Sequence, residues 1–480
     1  MANAHELARE HADVLAAIDQ DQAWQRRALA DLVAIPSVSG DEGDPQALRA
    51  SAEAVAALAR SAGADAATLL EVDDAPPAVL ATARAERPTA PTLLLYAHHD
   101  VQPPGDEAAW TAPPFAATER DGRLYGRGTA DDKAGIVAHL AALAAWRHTR
   151  GAPPCHVALL VEGEEEVGSP HFGDLLDAHA EALAADAVAV VDTLNWRVGQ
   201  PTLTTSLRGL VDATVELEVA DHALHSGLYG GPVPDVVSAL ARLLASCVDE
   251  HGAVAIPGFA DDLAPLGDAE RQALEDLAFD ADAFRAETGL RADVPLAGDP
   301  AAHPLERLWR RPHLTVTGLD APAVEGAANA LQPRARARVS IRLGPGQDPA
   351  RAQRVLHDWL AGQAPLGLRP RVTLGAAASP FVVEADHPAV RAAAQALEGA
   401  YGVPALLAGI GGTIPFLEPL TRRHGAVPVL MAGIEDPDTR AHGIDESVHL
   451  GDLHRACRGQ ALLLPAVAAA LADASDEERP

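Results

Sequence analysis

The chain has 480 residues, 48% of them hydrophobic, a length of about two to three domains with enough apolar content for sizeable cores. A formal net charge of -31 argues against a nucleic-acid partner and against an anionic membrane surface, both of which favour a basic face. Three scattered cysteines without a C-x-x-C pair argue against a disulfide framework and a thiolate metal site, and fit a reducing compartment.

The first 13 residues carry charges throughout and no apolar core, so no signal peptide is expected. The longest apolar run, 461–472, is interrupted by Pro465 and is shorter than the ~20 residues a membrane span needs. The expectation is a soluble cytoplasmic protein.

Residues 92–96 (Thr-Leu-Leu-Leu-Tyr) form a continuous apolar run, the mark of a strand buried on both faces. A helix is predicted from Lys133 to about 149, with Ile136, Val137, Leu140, Leu143 and Ala144 on one side. A buried strand follows at 157–161, a helix at 174–183 and a strand at 187–191. This alternation predicts an α/β fold with a mainly parallel sheet covered by helices.

Beyond Leu210 the pattern changes. Residues 211–219 and 337–343 alternate strictly between apolar and polar, as strands with one wet face do. With helices predicted at 235–249 and 349–361 they make an α+β unit, and 250–310, rich in Asp, Ala and Pro, reads as an excursion from it. A helix at 390–400 and a strand at 427–431 return to the first style. The predicted organisation is a discontinuous catalytic domain, 1–206 and 385–480, with an inserted α+β domain at 207–384.

Polar residues gather where the predicted strands end. His98-His99-Asp100 follows the first strand, and residues two apart on a strand share a face, so His98 and Asp100 can meet. A ligand histidine commonly gives its other N–H to a carboxylate or carbonyl. Asp131 and Asp132 open the helix that starts at Lys133, the only lysine of the chain; taken alone, such a pair is ordinary capping chemistry. Gly126 and Gly128 do not make a dinucleotide loop, because Asp131 stands at the third glycine position. Glu162-Gly-Glu164-Glu165-Glu166 closes the second strand, Asp192 the third, and His442 follows the 427–431 strand. The C-terminal ends of parallel strands are where open α/β sheets hold ligands. Singly, each of these is readily a solvated turn; as a set they converge on one sheet edge.

These segments resemble the co-catalytic di-zinc exopeptidases and deacylases, the family of carnosinase, non-specific dipeptidases, carboxypeptidase G, acetylornithine deacetylase and succinyl-diaminopimelate desuccinylase. The resemblance is carried by Tyr-Ala-His-His-Asp-Val-Gln-Pro (96–103), 110–115, Gly-Arg-Gly-Thr-Ala-Asp-Asp-Lys (126–133), Glu-Gly-Glu-Glu-Glu-Val-Gly-Ser (162–169), His-Ser-Gly-Leu-Tyr-Gly-Gly (225–231) and Ser-Ile-Arg-Leu (340–343). It implies two divalent metal ions, zinc with manganese or cobalt as alternatives. His98 and Asp192 would hold one ion, Glu166 and His442 the other, and Asp131 would bridge them. The family pattern E-G-x-E-E-x-G-S selects Glu165 as general base, with Asp100 orienting His98. The reaction implied is attack of a metal-bridging hydroxide on the amide carbonyl.

For the substrate, the resemblance implies His225 as an oxyanion donor that reaches the partner subunit of a homodimer built through the inserted lid domain. It implies Arg342 as the clamp on a free α-carboxylate, and Asn329 and Thr413 as further contacts. Ala134 stands where the family usually has glycine, and Thr413 where relatives often have serine. The 256–263 segment is similar to carnosinase-like dipeptidases, so the expected activity is hydrolysis of dipeptides or short peptides with a free C-terminal carboxylate. The alternative is an N-acyl-amino-acid amidohydrolase, and a more distant one an inactive binding scaffold.

Overall fold

A computed structural model describes residues 3–277, 279–412, 414, 417–424 and 427–477. The chain divides into two compact units, one formed by Met1–Thr205, Val383–Ala408 and Ile414–Pro480, the other by Ser206–Val382 and Gly409–Thr413.

The first unit is an α/β layer structure. Its centre is four parallel strands in the order His156–Glu162, Thr92–His98, Ala187–Leu194 and Val429–Glu435. Antiparallel strands flank them, Ala66–Leu70 and Ala78–Ala83 on one side and Thr202–Leu207 on the other. The central strands are buried almost throughout because helices cover both faces, which is why they read as unbroken apolar runs. The helix Lys133–Arg150 is buried over most of its length and stops at Gly151, whose φ of 78° lets the chain leave in the left-handed region. Trp146 of this helix donates its Nε1–H to the Ala461 carbonyl at 2.9 Å, tying it to the helix Leu450–Glu477. The apolar run 461–472 is therefore core. Among the described residues no helix is long and apolar enough to cross a membrane.

Of the elements whose extent differs from the predicted span, three are instructive. The strand predicted at 427–431 is Val429–Glu435, so it carries a carboxylate at its end. The helix predicted at 174–183 is Phe172–Ala178, since a turn about His179 replaces its last residues. The helix predicted at 235–249 stops at Ala245, because Asp249 Oδ1 accepts the N–H groups of His251 and Ala253 and folds the chain back.

The second unit is α+β. Its antiparallel sheet has the order His313–Asp320, Arg334–Leu343, Gly209–Glu218, Arg371–Ala378. Val211, Ala213, Val215 and Leu217 alternate inward with Ala335, Ala337, Val339 and Ile341, and pack against the helices Val236–Ala245 and Pro349–Gly362. The 250–310 excursion carries the short helices Asp268–Asp276, Ala281–Thr288 and Pro304–Trp309.

Candidate metal centre

The site lies at the C-terminal edge of the central strands, where Asp192 and Glu435 emerge beside His98. Three overlapping groups place one donor atom per residue within 4.8 Å of one another: His98, Asp132 and Asp192; Asp131, Glu166 and His442; Asp131, Asp192 and Glu435.

Asp131 joins the groups. Its Oδ1 is 3.0 Å from His98 Nε2 and its Oδ2 is 2.9 Å from His442 Nε2. Asp192 Oδ2 is 3.9 Å from His98 Nε2, and Glu166 Oε2 is 3.1 Å from His442 Nε2.

The loop carrying Asp131 is fixed from far away in sequence. Glu446 accepts the backbone N–H of Gly128 at 2.9 Å, of Ala130 at 3.1 Å and of Asp131 at 3.3 Å, and it pairs with the Arg127 guanidinium at 2.7 Å. Gly128 has φ of 80° and lies so close to Val101 that an added Cβ would stand 2.4 Å from it. The Asp131–Asp132 peptide is cis. The helix that follows has its close approach at Gly135, where a Cβ would meet Asp132 Oδ1 at 2.2 Å; Ala134, the departure from the family pattern, is accommodated in the core. Lys133 is buried and donates to the Leu32 and Ile35 carbonyls, both at 2.9 Å, so it braces the helix start.

Asp100 holds two parts of the site. Its carbonyl lies 3.0 Å from His98 Nδ1 and its carboxylate Oδ1 3.4 Å away, so two acceptors favour a proton on Nδ1, while Nε2 faces Asp131. The orienting acceptor nearest His98 is thus the Asp100 carbonyl. The Asp100 carboxylate also accepts the backbone N–H of Glu165 at 3.2 Å and of Glu166 at 3.1 Å. Gln102 fixes Glu166 by donating its backbone N–H to Oε1 at 3.1 Å and its side-chain amide to Oε2 at 3.0 Å. Of the three consecutive glutamates, Glu164 is engaged with His171, at 2.7 Å to the backbone N–H and 2.9 Å to Nδ1.

His442 sits in a stretch where Arg440, His442 and Asp445 have φ of 56°, 62° and 59°. Three non-glycine residues in the left-handed region within six positions mark backbone held for a purpose. Here the stretch brings Nε2 of His442 to Asp131.

The electrostatics call for added positive charge. Burial pushes Asp132 and Asp192 well above the ordinary carboxylate range. Burial, reinforced by Asp131, Glu166 and Asp100 and opposed by His98, pushes Glu165 up to about 7; burial with Asp131 and Glu446 pushes Glu435 up to about 8. Hydrogen bonds to Asp131 and Glu166 raise His442 to about 10. Burial disfavours a proton on His98, yet its bonds to Asp100 and Asp131 outweigh that and raise it well above its ordinary value. Imidazole and carboxylate donors converging on a shared Asp131, with no thiolate, fit divalent metal ions.

Glu435 and Gln102 escaped the sequence reading. Glu435 carried the same signal as Asp192, an acid at the end of a buried strand, but the predicted strand stopped at 431.

His225, Asn329 and Arg342 belong to the second unit. His225 lies on the two-residue strand Leu224–His225, opposite Ala330, and its Nδ1 accepts the Gly227 N–H at 3.1 Å, which leaves Nε2 as donor in the neutral ring. The Asn329 carbonyl accepts from the Ser226 backbone N–H at 3.0 Å and hydroxyl at 2.8 Å, fixing the same ribbon. Arg342 is half-buried near the end of Arg334–Leu343, opposite Leu210 and His313. Thr413 lies outside the described residues.

Residues 94–465 match the model of peptidase family M20/M25/M40. The cysteinylglycine-S-conjugate dipeptidase of Corynebacterium striatum is 35% identical over 361 residues, 75% of this chain and 77% of the relative. The Beta-Ala-His dipeptidase of Rattus norvegicus is 28% identical over 385 residues, 78% of this chain and 76% of the relative. The crystal structure of human carnosine dipeptidase 1 superposes with a TM-score of 0.79 at 26% identity, covering 95% of this chain and 98% of that one. The chain belongs to peptidase family M20/M25/M40.

Proposed function

We propose that this site hydrolyses the peptide bond of dipeptides, and of short peptides with a free C-terminal carboxylate. The observation that carries the reading is the Asp131 carboxylate spanning His98 and His442, with the Glu165–Glu166 turn pinned beside it by Asp100. The relatives named for cysteinylglycine conjugates and for Beta-Ala-His support a dipeptide substrate.

His98 and Asp192 would hold one metal ion, Glu166 and His442 a second, and Asp131 both. Zinc suits this donor set, and manganese or cobalt are compatible with it. Bound there, two divalent ions supply Lewis-acid polarisation and a water acidified near neutrality.

Glu165 is the group available to move the proton. It accepts one from the attacking water as the new C–O bond forms, and returns it to the leaving amine as the C–N bond breaks. Asp100 keeps both His98 and the Glu165 backbone in place. From the second unit, His225 donates to the developing oxyanion, Arg342 clamps the α-carboxylate with its planar fork, and Asn329 and Thr413 add contacts. The family pattern supports a homodimer through the inserted domain 207–384, with His225 acting in the partner's site, a catalytic domain of 1–206 and 385–480, and a cytoplasmic location.

The test is a panel of dipeptides set against N-acetyl, N-succinyl and N-carbamoyl amino acids, with the protein loaded with zinc, manganese or cobalt. Turnover of dipeptides is expected; turnover confined to the acyl compounds would overturn the reading in favour of an amidohydrolase.

A further inference from the structure

The register of the second unit's sheet sets a guanidinium and an imidazole on one face, beside a second guanidinium that precedes the strand. Arg342 stands directly opposite His313 on one neighbouring strand and Leu210 on the other. Directly paired residues of antiparallel strands share a face, and so do residues two apart along one strand. Arg208 immediately precedes the strand Gly209–Glu218; it lines one cavity with His313, and the charge of Arg342 reaches it. Val211, Val339 and Ile341 take the other face, against the helices. Asp212, an acid of the same face as Arg342, is ion-paired with Arg338 at 2.6 Å, and its charge also acts on Arg342.

Arg208 is buried, at 8% exposure. Its Nε–H donates to the Gly411 carbonyl at 3.2 Å, and its backbone N–H to the Gly412 carbonyl at 3.1 Å. Gly411 leaves room for the guanidinium, since a Cβ there would stand 2.7 Å from Nη2. Burial and the positive charge of Arg342 pull the Arg208 pKa down to about 10, consistent with two guanidinium groups gathered around a place for an anion.

Beside Arg208 and His313 a cavity of about 450 Å³ opens within the same unit, with Val254, Leu263, Phe279, Phe284, Leu296 and Leu308 in its wall. This lies inside the range of roughly 300–1,000 Å³ typical of small-ligand sites. The charged groups of the wall serve the fold: Arg311 pairs with Glu306 at 2.7 Å, Arg307 donates to the Ala302 and Ala297 carbonyls, and Asp249 caps its own turn. Asp299 likewise accepts the Ala301 N–H, so beyond Arg208 and His313 at one end the side chains left for recognition are mainly apolar.

A C-terminal residue carries its α-carboxylate and its side chain on one carbon. A cavity walled at one end by Arg208 therefore receives that side chain when Arg208 and Arg342 hold the carboxylate. We propose that Arg208 and Arg342 share the α-carboxylate, and that the cavity is the subsite for the C-terminal side chain, giving a preference for dipeptides that end in a bulky apolar or aromatic residue over those that end in glycine. This rests on the dipeptidase reading and on Arg342 as the clamp.

Steady-state kinetics of the metal-loaded, full-length protein on Ala-Gly, Ala-Ala, Ala-Leu and Ala-Phe test it. The expected kcat/KM rises along the series, with Ala-Phe at least about tenfold above Ala-Gly. Leu296→Trp, which fills the cavity, is expected to bring that ratio towards one; Leu308→Trp serves the same purpose if the first variant does not fold. Free phenylalanine is expected to inhibit the unsubstituted protein at lower concentration than free glycine, and to lose that advantage in the filled variant. Equal kcat/KM for Ala-Gly and Ala-Phe, with dipeptides turned over, overturns the inference alone. No turnover of any dipeptide overturns the dipeptidase reading and the subsite with it.

Discussion

Asp100 accepts the backbone N–H of Glu165 at 3.2 Å through the carboxylate whose own main-chain carbonyl lies 3.0 Å from His98 Nδ1. One residue thus fixes a metal-facing imidazole and the turn that presents the proposed proton carrier. The link means that Glu165 can lose its charge without losing its position, which makes it a clean target for substitution.

Glu165→Gln is expected to retain two metal ions per chain and to lower kcat by about 10²–10⁴. Metal content by mass spectrometry, set beside single-turnover rates, checks it. Retention of most of the activity would remove Glu165 from its role.

Asp131→Asn weakens the carboxylate that, among the described residues, pairs with both His98 and His442. Metal stoichiometry after dialysis against a metal buffer is expected to fall from two to one or fewer. A variant that still holds two ions with unchanged affinity would show that Asp131 is not shared.

The Arg127–Glu446 pair is buried on both sides. Glu446→Ala leaves a buried guanidinium without its partner and strips the acceptor from three backbone N–H groups, at a cost of about 3–5 kcal/mol. Denaturant unfolding reads this directly. Adding Arg127→Met is expected to restore part of the loss, because the unpaired charge is then gone.

His139, buried beneath the sheet with Nε2 3.2 Å from the Tyr96 carbonyl, has its pKa pushed down to about 4 by burial. The unfolded chain takes up this proton near pH 6.5, and the folded chain resists it until about 4. Between those values the unfolded state binds more protons, so stability is lost as pH falls, by up to about 3 kcal/mol from this group. The pH dependence of unfolding between 4 and 7 is expected to flatten in His139→Leu; an unchanged slope would contradict it.

Arg342→Ala is expected to raise KM on the order of tenfold or more for dipeptides with a free carboxylate, with a smaller change in kcat. The corresponding dipeptide amides should be indifferent to it. An unchanged KM for the free acids would remove Arg342 from the substrate site.

What the sequence determined by itself is chemistry of short range. The buried runs at 92–96, 157–161 and 187–191 gave away the central strands because burial on both faces removes the polar alternation. His98, Asp131, Glu166, Asp192 and His442 were nameable because the family motifs around them are local and ordered along the chain. Asp131 as their shared residue followed from the resemblance alone; the distances that bring His98 and His442 to its two oxygens depend on how the strands line up. Glu435 went unread because the end of its strand is set by pairing with Ala187–Leu194, which periodicity cannot register. The Arg127–Glu446 pair, 319 positions apart, and the cavity beside Arg208 exist only once distant segments close on one another. Local pattern chose the donors; long-range pairing and burial chose which of them meet and the charge each carries.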